Sequence, residues 1–414
     1  MIFEVSNAKL KQNLNPRRFG IGAQRTHIFG APQSGKTSIA LNYARDFKNP
    51  LYIDFADLRN SRDLIGQTLL KIAFEKTHDL LILDNIPRDF ANNFTNLPKG
   101  ANIITISESN ADLHGFQSVE ILPLNFEEFI SFDTQDLNLK ELFEKFIRFG
   151  NLPAMMNLRD SQKFEAKQKM LVSIMGENMD IFLELMRFQS SPVSVFQLYN
   201  ILKKDSKMSK NRIYGVIDSF LQRGIVRFVA HCDKPKAPKK AYLFDFSLRN
   251  AISYERNFMA VFENMVFLEL LGRESNANLR ESSGEFLGCE SKTSPSLAKN
   301  TPPQPLPQGE GLIFDSPSLA DDNCTAFPLP CGGGLRGWVK SQNNIFYSDK
   351  IPLICGKNGY ILMPFKSKEM IIDALKGVDF MGLEIAVITI DLNDEIVIYG
   401  KKIPLISFIN FALD

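Results

Sequence analysis

Eight consecutive residues, Gly30-Ala31-Pro32-Gln33-Ser34-Gly35-Lys36-Thr37, fit the pattern GxxxxGK[ST] without a gap. These residue types in this order suit a chain of phosphates. Glycines let the backbone close around an anion, and a helix that starts where the loop ends points free N–H groups at it. Lys36 would neutralise charge on the β- and γ-phosphates, and the Thr37 hydroxyl would ligate Mg²⁺. Ser38, the next residue, completes the candidate contact set. The flanks have the required form. Residues 26–29 read as a short strand, and residues 38–46 as a helix with Ile39, Ala40, Tyr43 and Ala44 near helical spacing. ATP with Mg²⁺ is the expected occupant; guanine stays open as the base, although no guanine-reading NKxD motif is present.

A metal-holding carboxylate should follow on a second strand. His78-Asp79-Leu80-Leu81-Ile82-Leu83-Asp84-Asn85 supplies one: four apolar residues and then Asp84, as in a buried parallel strand that delivers an acid to its carboxyl edge. Thr37 and Asp84 are therefore the expected Mg²⁺ residues, acting with the nucleotide. Hydrolysing ATPases of this layout mostly place glutamate next, to polarise the attacking water. Here the residue is Asn85, whose amide cannot accept a proton as a carboxylate does. Asp54 or Asp57, after a strand at 51–53, could substitute, but the sequence assigns no catalytic base. Residues 102–107 form another strand candidate, ending in Thr105 and Ser107, which suit either a γ-phosphate contact or a plain strand end.

These elements belong to a chain of 414 residues, enough for several domains, with a net charge of +1, 44% hydrophobic and 23% charged residues. Five scattered cysteines without a CxxC pair, and only four histidines, speak against a disulfide framework or a zinc site. The first twenty residues lack the apolar stretch of a signal peptide, and no run is long enough to span a bilayer. The expectation is a cytoplasmic chain without membrane contact.

Further motifs follow in order. Leu122-Pro123-Leu124-Asn125-Phe126-Glu127-Glu128-Phe129 resembles the "PLSFxEF" stretch of a family of bacterial and archaeal AAA-type ATPases. Phe149-Gly150-Asn151-Leu152-Pro153 resembles that family's "GGxP", and Tyr242-Leu243-Phe244-Asp245 its "xYxxD" strand. Residues 262–270, FENMVFLEL, resemble its "xENxVxxEL" helix, and Lys402-Ile403-Pro404 its closing strand. The resemblance implies an α/β chain: a P-loop parallel-sheet ATPase domain (1–135), a helical lid (136–190), a winged helix (191–252), and a small α/β restriction-endonuclease-like domain (253–414). A low-complexity insert (274–341) interrupts the last. It also leaves homo-oligomers open, although no arginine stands out as one donated between copies. The "Gly-Arg" that often precedes "PLSF" is Gly115-Phe116 here.

The middle of the chain has the winged-helix outline of its own accord. Short helices at 195–204 and 210–223, the second with Ile213, Val216, Ile217, Phe220 and Leu221 on one face, precede strands at 225–229 and 241–246. Residues 203–249 hold twelve lysines and arginines against four aspartates, a net of +8, which could neutralise DNA phosphates or simply face solvent. In the last domain the nuclease-like family would use a helix glutamate, a strand aspartate and Glu-x-Lys to hold Mg²⁺. Glu263 and Lys366 match. Pro352 stands near the aspartate position and Pro364 replaces the glutamate, so no nuclease activity is expected. Between Gly284 and Trp338, 16 of 55 residues are glycine or proline, and Ser-Pro-Ser-Leu-Ala at 294–298 recurs at 316–320. That segment is expected to be disordered and dispensable.

The leading reading is an ATP-binding AAA-type switch or weak ATPase. The others are a DNA-binding regulatory or defence protein in which ATP is structural, and a chain that has lost its ancestral activity, as Asn85, the two prolines and the insert would suggest.

Overall fold

A computed structural model describes residues 14–15, 17, 19–58, 71, 74–75, 77–87, 100–205, 208–282 and 344–414. The segment 284–338, expected to be disordered, lies outside the described residues.

Strands β1 (Arg25–Phe29), β2 (Pro50–Asp54), β3 (Leu80–Asp84), β4 (Ile103–Ile106) and β5 (Gln117–Glu120) form one parallel sheet in the order β2-β3-β4-β1-β5. Both faces are covered, which is why the central strands read as unbroken apolar runs. Leu81 and Leu83 enter one layer with Leu51, Ile53 and Ile103. Leu80 and Ile82 enter the other with Ile28, Ile39 and Ala40. Because all five strands run the same way, the turns after β1, β3 and β4 meet at one edge, with β4 between the phosphate-type loop and Asp84. Helix α1 (Lys36–Tyr43) begins two residues earlier than the hydrophobic spacing suggests. Gly35, at φ 91°, takes the cap position, so Lys36 is already helical.

The chain then continues through α2 (Phe126–Ser131), α3 (Leu139–Phe149), α4 (Pro153–Met156), α5 (Asp160–Met175) and α6 (Met179–Arg187). Next come β6 (Pro192–Val193), α7 (Val195–Asp205), α8 (Lys210–Gln222), β7 (Val226–His231), β8 (Lys239–Leu243), α9 (Leu248–Ile252) and α10 (Phe258–Ser282). The last part holds β9 (Ile345–Tyr347), β10 (Leu353–Cys355), β11 (Asn358–Leu362), α11 (Lys368–Leu375), β12 (Glu384–Thr389), β13 (Asp394–Ile398), β14 (Lys401–Ser407) and α12 (Phe408–Leu413). Two of its strands, β9 and β10, are only three residues long, too short to show a periodicity, and β13 and β14 pair as an antiparallel hairpin. The sequence does not foretell one connection. β7 pairs in parallel with β9 (Ala230 with Phe346, His231 with Tyr347), so the hairpin expected of a winged helix and the C-terminal strands share a nine-stranded sheet.

The polar residues of the recognised motifs are structural ties between these parts. Asn264 of α10 accepts from the backbone N–H of Leu243 at 2.8 Å and donates to its carbonyl at 3.0 Å, acting as a strand neighbour to β8. Glu269 accepts from Phe126 N at 2.7 Å, capping the first turn of α2. Burial pushes its carboxyl up to about 8, against that hydrogen bond and Arg273. Since the folded-state value lies above the unfolded one, its contribution to stability is complete below about pH 4.5 and is lost as pH rises through about 8.

Candidate nucleotide site

The loop after β1 adopts the shape its composition predicts. Gly30 has φ 140°, and a Cβ there would collide with the carbonyl of Ile121. Gln33 is left-handed at φ 61° and Gly35 at φ 91°. Lys36 turns back over the loop, its Nζ donating to Gly30 O at 2.9 Å and Ala31 O at 2.8 Å. Its burial lowers the ammonium to about 8, opposed by Glu108 and Asp84 and reinforced by Arg223. Ser34 Oγ is buried and has no hydrogen-bond partner among the described residues. A cradle with a buried ammonium, an unpartnered hydroxyl and a helix N-terminus has the donor set of a polyphosphate site. Ala31 and Pro32 are buried within the loop, and Ser38 is half-buried in the first turn of α1.

Thr37 and Asp84, 47 residues apart, are brought together: Thr37 Oγ1 donates to Asp84 Oδ2 at 2.7 Å. The same oxygen accepts from Tyr52 OH at 2.7 Å, and Oδ1 accepts from Asn85 N at 2.9 Å. Burial raises the Asp84 carboxyl, an effect that the Thr37 and Tyr52 hydrogen bonds oppose. A hydroxyl and a carboxylate side by side suit Mg²⁺, which takes oxygen ligands and keeps waters for the rest. Asn85 follows at φ 56°, a left-handed conformation that asparagine tolerates better than glutamate. Its Nδ2 donates to Asp54 Oδ1 at 2.9 Å, so the residue in the expected base position is tethered to the neighbouring strand end.

Thr105 and Ser107 are both engaged with His27. Thr105 Oγ1 lies 2.8 Å from Nδ1, and Ser107 Oγ 3.4 Å from Nε2. Nε2 also accepts from Ala111 N at 3.2 Å, which leaves Nδ1 as the protonated nitrogen. Burial lowers this imidazole to about 4, so it is neutral near pH 7.

Sequence reasoning missed several residues. Arg17 donates to Ser34 O at 2.8 Å and grips Glu128 through two nitrogens at 2.7 and 2.8 Å, bracing the loop against α2. Glu108 pairs with Arg223, and Glu120 with Arg227. Nothing in local spacing marks them, since the partners lie more than 100 residues apart. A cavity of about 280 Å³ beside these pairs is lined by Phe29, Glu120, Leu221, Gln222 and Arg227 among others.

Those pairs also change the meaning of the basic stretch. Arg223, Arg227, Lys234 and Lys240 pair with acids of other elements, and Arg249 donates to the carbonyls of Arg187 and Glu255. Lys203, Lys204, Lys210, Arg212, Lys234 and Lys236 are exposed, Arg212 and Lys234 while paired with Glu177 and Asp349. In the C-terminal part, Glu263 accepts from Lys240 Nζ and Tyr242 OH, both at 2.7 Å. Pro364 is buried and Lys366 exposed. Among the described residues one group of three, His231, Cys232 and Asp233, has metal-ligand spacing. It does not suit an ion, because His231 Nδ1 already accepts from the N–H groups of Asp233 and Lys234.

No protein-family model matches the chain. An uncharacterized protein of Methanocaldococcus jannaschii is 25% identical over 320 residues, covering 65% of this chain and 70% of that protein. Among solved structures, the Aeropyrum pernix ORC1 protein in complex with DNA is matched over 66% of this chain and 95% of its own, at 12% identity and a TM-score of 0.27. Drosophila ORC bound to AT-rich DNA and Cdc6 is matched over 59% and 86%, at 12% identity and a TM-score of 0.18. At that level of superposition neither bears on the site, whose reading rests on its geometry. Among the described residues, no helix is long and apolar enough to cross a membrane.

Proposed function

We propose that this chain is an AAA-type protein that binds ATP with Mg²⁺ and acts as a nucleotide switch with slow or absent turnover. The carrying observation is the convergence of Lys36, Thr37 and Asp84 at the carboxyl edge of the parallel sheet, beside a tethered Asn85 where a water-activating carboxylate would stand. Lys36 would hold the β- and γ-phosphates, and Thr37 and Asp84 would hold Mg²⁺. The metal would neutralise phosphate charge. In such a switch the bound triphosphate orders the surrounding segments, and the helical and hairpin elements packed on the loop follow.

The test is equilibrium binding of MgATP followed by single-turnover hydrolysis. The expected result is saturable binding with a rate indistinguishable from a Lys36→Met control. Asn85→Glu alone is expected to gain little, because it places a second carboxylate beside Asp54 in a left-handed backbone. Robust turnover by the parent would show that another acid activates water and would end the switch reading.

A second reading, DNA contact with nucleotide in a structural role, is favoured by one patch. Phe196 is 54% exposed, Lys210 Nζ lies over the rings of Phe196 and Tyr214, and Lys203 lies over Tyr199. With four exposed cations there, DNA affinity should fall with salt at a log–log slope of about −3 to −4. A slope near zero, or no binding at low salt, removes that reading.

A further inference from the structure

The carboxylate of Asp84 is nearly saturated by the protein itself. An ionised carboxyl group offers about four lone-pair sites, two on each oxygen. On Oδ2 one is taken by the Thr37 hydroxyl and the other by the Tyr52 hydroxyl, each at 2.7 Å. On Oδ1 the Asn85 N–H takes one more. The bond from Thr37 leaves the lone pairs of its own oxygen to face a cation. The bond from Tyr52 comes from a neighbouring strand. Tyr52 stands in the middle of β2, in register with Ile82, two residues before Asp84. Side chains two apart on a strand share a face, so Tyr52, Ile82 and Asp84 lie on the same side of the sheet. There the Tyr52 ring is buried with Ile28, Ile39, Ala40 and Ile82. Only a long side chain runs past Ile82 to the carboxyl edge. Phenylalanine would fill the same space, so packing alone does not call for the hydroxyl.

We infer that Tyr52 sets which divalent cation accompanies the nucleotide, by occupying the lone pair of Asp84 Oδ2 that a larger cation would otherwise take directly. The inference rests on the nucleotide-binding reading above. With two hydroxyls on Oδ2, Asp84 meets a cation through the one free site on Oδ1 or through water. Mg²⁺ suits that arrangement, because it dehydrates reluctantly and keeps several waters when bound. Ca²⁺ is larger, accepts six to eight oxygens in flexible geometry, and takes carboxylates directly through one oxygen or both. Loss of the Tyr52 hydroxyl frees a lone pair beside Thr37. Direct ligation through Oδ2 then becomes open, and Ca²⁺ gains more from it than Mg²⁺ does. Tyr52 is in this sense a positioning residue, which acts on the cation through Asp84.

The test is calorimetric titration of the full chain with ATP, in excess Mg²⁺ or excess Ca²⁺, for the parent, Tyr52→Phe, Asp84→Ala and the double variant. The parent is expected to prefer MgATP. Tyr52→Phe keeps the ring and its packing, and is expected to shift the ratio of the two dissociation constants toward CaATP by about tenfold, the worth of one hydrogen bond to a charged group. Asp84→Ala leaves no carboxylate for the hydroxyl to mask, so adding Tyr52→Phe to it should leave the ratio within about twofold. A hydroxyl needed only for the fold would change both complexes alike. A parent without preference for Mg²⁺, an unchanged ratio in Tyr52→Phe, or the same shift in the Asp84→Ala background overturns the inference while the site reading stands. A parent that binds ATP with neither cation overturns the site reading itself.

Discussion

Lys36→Met is expected to weaken MgATP binding by about 100-fold or more while making the nucleotide-free protein more stable. The first effect follows from removing a buried ammonium that would make charge-assisted hydrogen bonds to phosphate oxygens, at roughly 1.5–3 kcal/mol each. The second follows from its burial. The ammonium is held down to about 8 by desolvation, more than Glu108 and Asp84 restore, so the folded state carries a charge it disfavours. Because the folded-state value lies below the unfolded one, the unfolded chain binds the extra proton between about pH 8 and 10.5, and the parent's stability rises with pH across that window. Methionine fills the space without the charge and should gain roughly 1–3 kcal/mol at pH 7. The same shift gives nucleotide affinity a pH dependence. Phosphate favours the charged ammonium, so affinity should fall as pH rises through about 8, with proton uptake on binding above that point. Titration calorimetry at pH 7 and 9 with urea unfolding of both proteins reads all three effects. A variant that binds MgATP normally, or one less stable than the parent, contradicts the assignment of Lys36.

The largest expected loss of stability lies away from the nucleotide site, at Lys167 and Asp245. Both side chains are fully buried and ion-paired, joining α5 to the segment after β8. Ser247 Oγ accepts from Lys167 Nζ at 2.5 Å, and Asp245 Oδ1 accepts from Ser247 N at 2.8 Å. Gly150, φ 78°, closes the site: a Cβ would lie 2.7 Å from Lys167 Nζ and nearer still to Asp245 and Ser247. This accounts physically for the glycine of the Phe-Gly-Asn-Leu-Pro motif and for the aspartate of Tyr-Leu-Phe-Asp, which meet here. Burial lowers the Lys167 ammonium, and Asp245 opposes that shift. Asp245→Ala leaves a buried charge without its partner and is expected to destabilise by roughly 3–5 kcal/mol. The double change Lys167→Met with Asp245→Leu removes both charges and should recover most of the loss, because an apolar pair of similar volume does not require the desolvation of two ions. Urea denaturation of the three proteins makes the comparison. A loss under about 1 kcal/mol for Asp245→Ala would mean that water or another group reaches Lys167.

The sequence by itself determined those features whose causes are local. Gly30 and Gly35 take backbone angles that other residues adopt poorly, a helix follows the loop, and Leu80–Asp84 is apolar at four successive positions because both sheet faces are covered. Each of these rests on steric and hydrophobic rules that act within a few residues, so the loop and its partner acid could be read in advance. The tertiary structure alone decided what those residues face. Strand order placed β4 between β1 and β3, which put Glu108 in reach of Arg223 and gave Thr105 and Ser107 to His27. The turn after Asp84 bent Asn85 onto Asp54. Pairing of β7 with β9 fused elements that sequence patterns separate, and packing against other elements drew Arg223, Arg227, Lys240 and Arg249 of the +8 stretch into largely buried contacts. Charge counts and motif order carry no information about such encounters. They depend on which strands lie side by side, and that is fixed by the burial of apolar faces across the whole chain, not by the polar residues the packing happens to bring together.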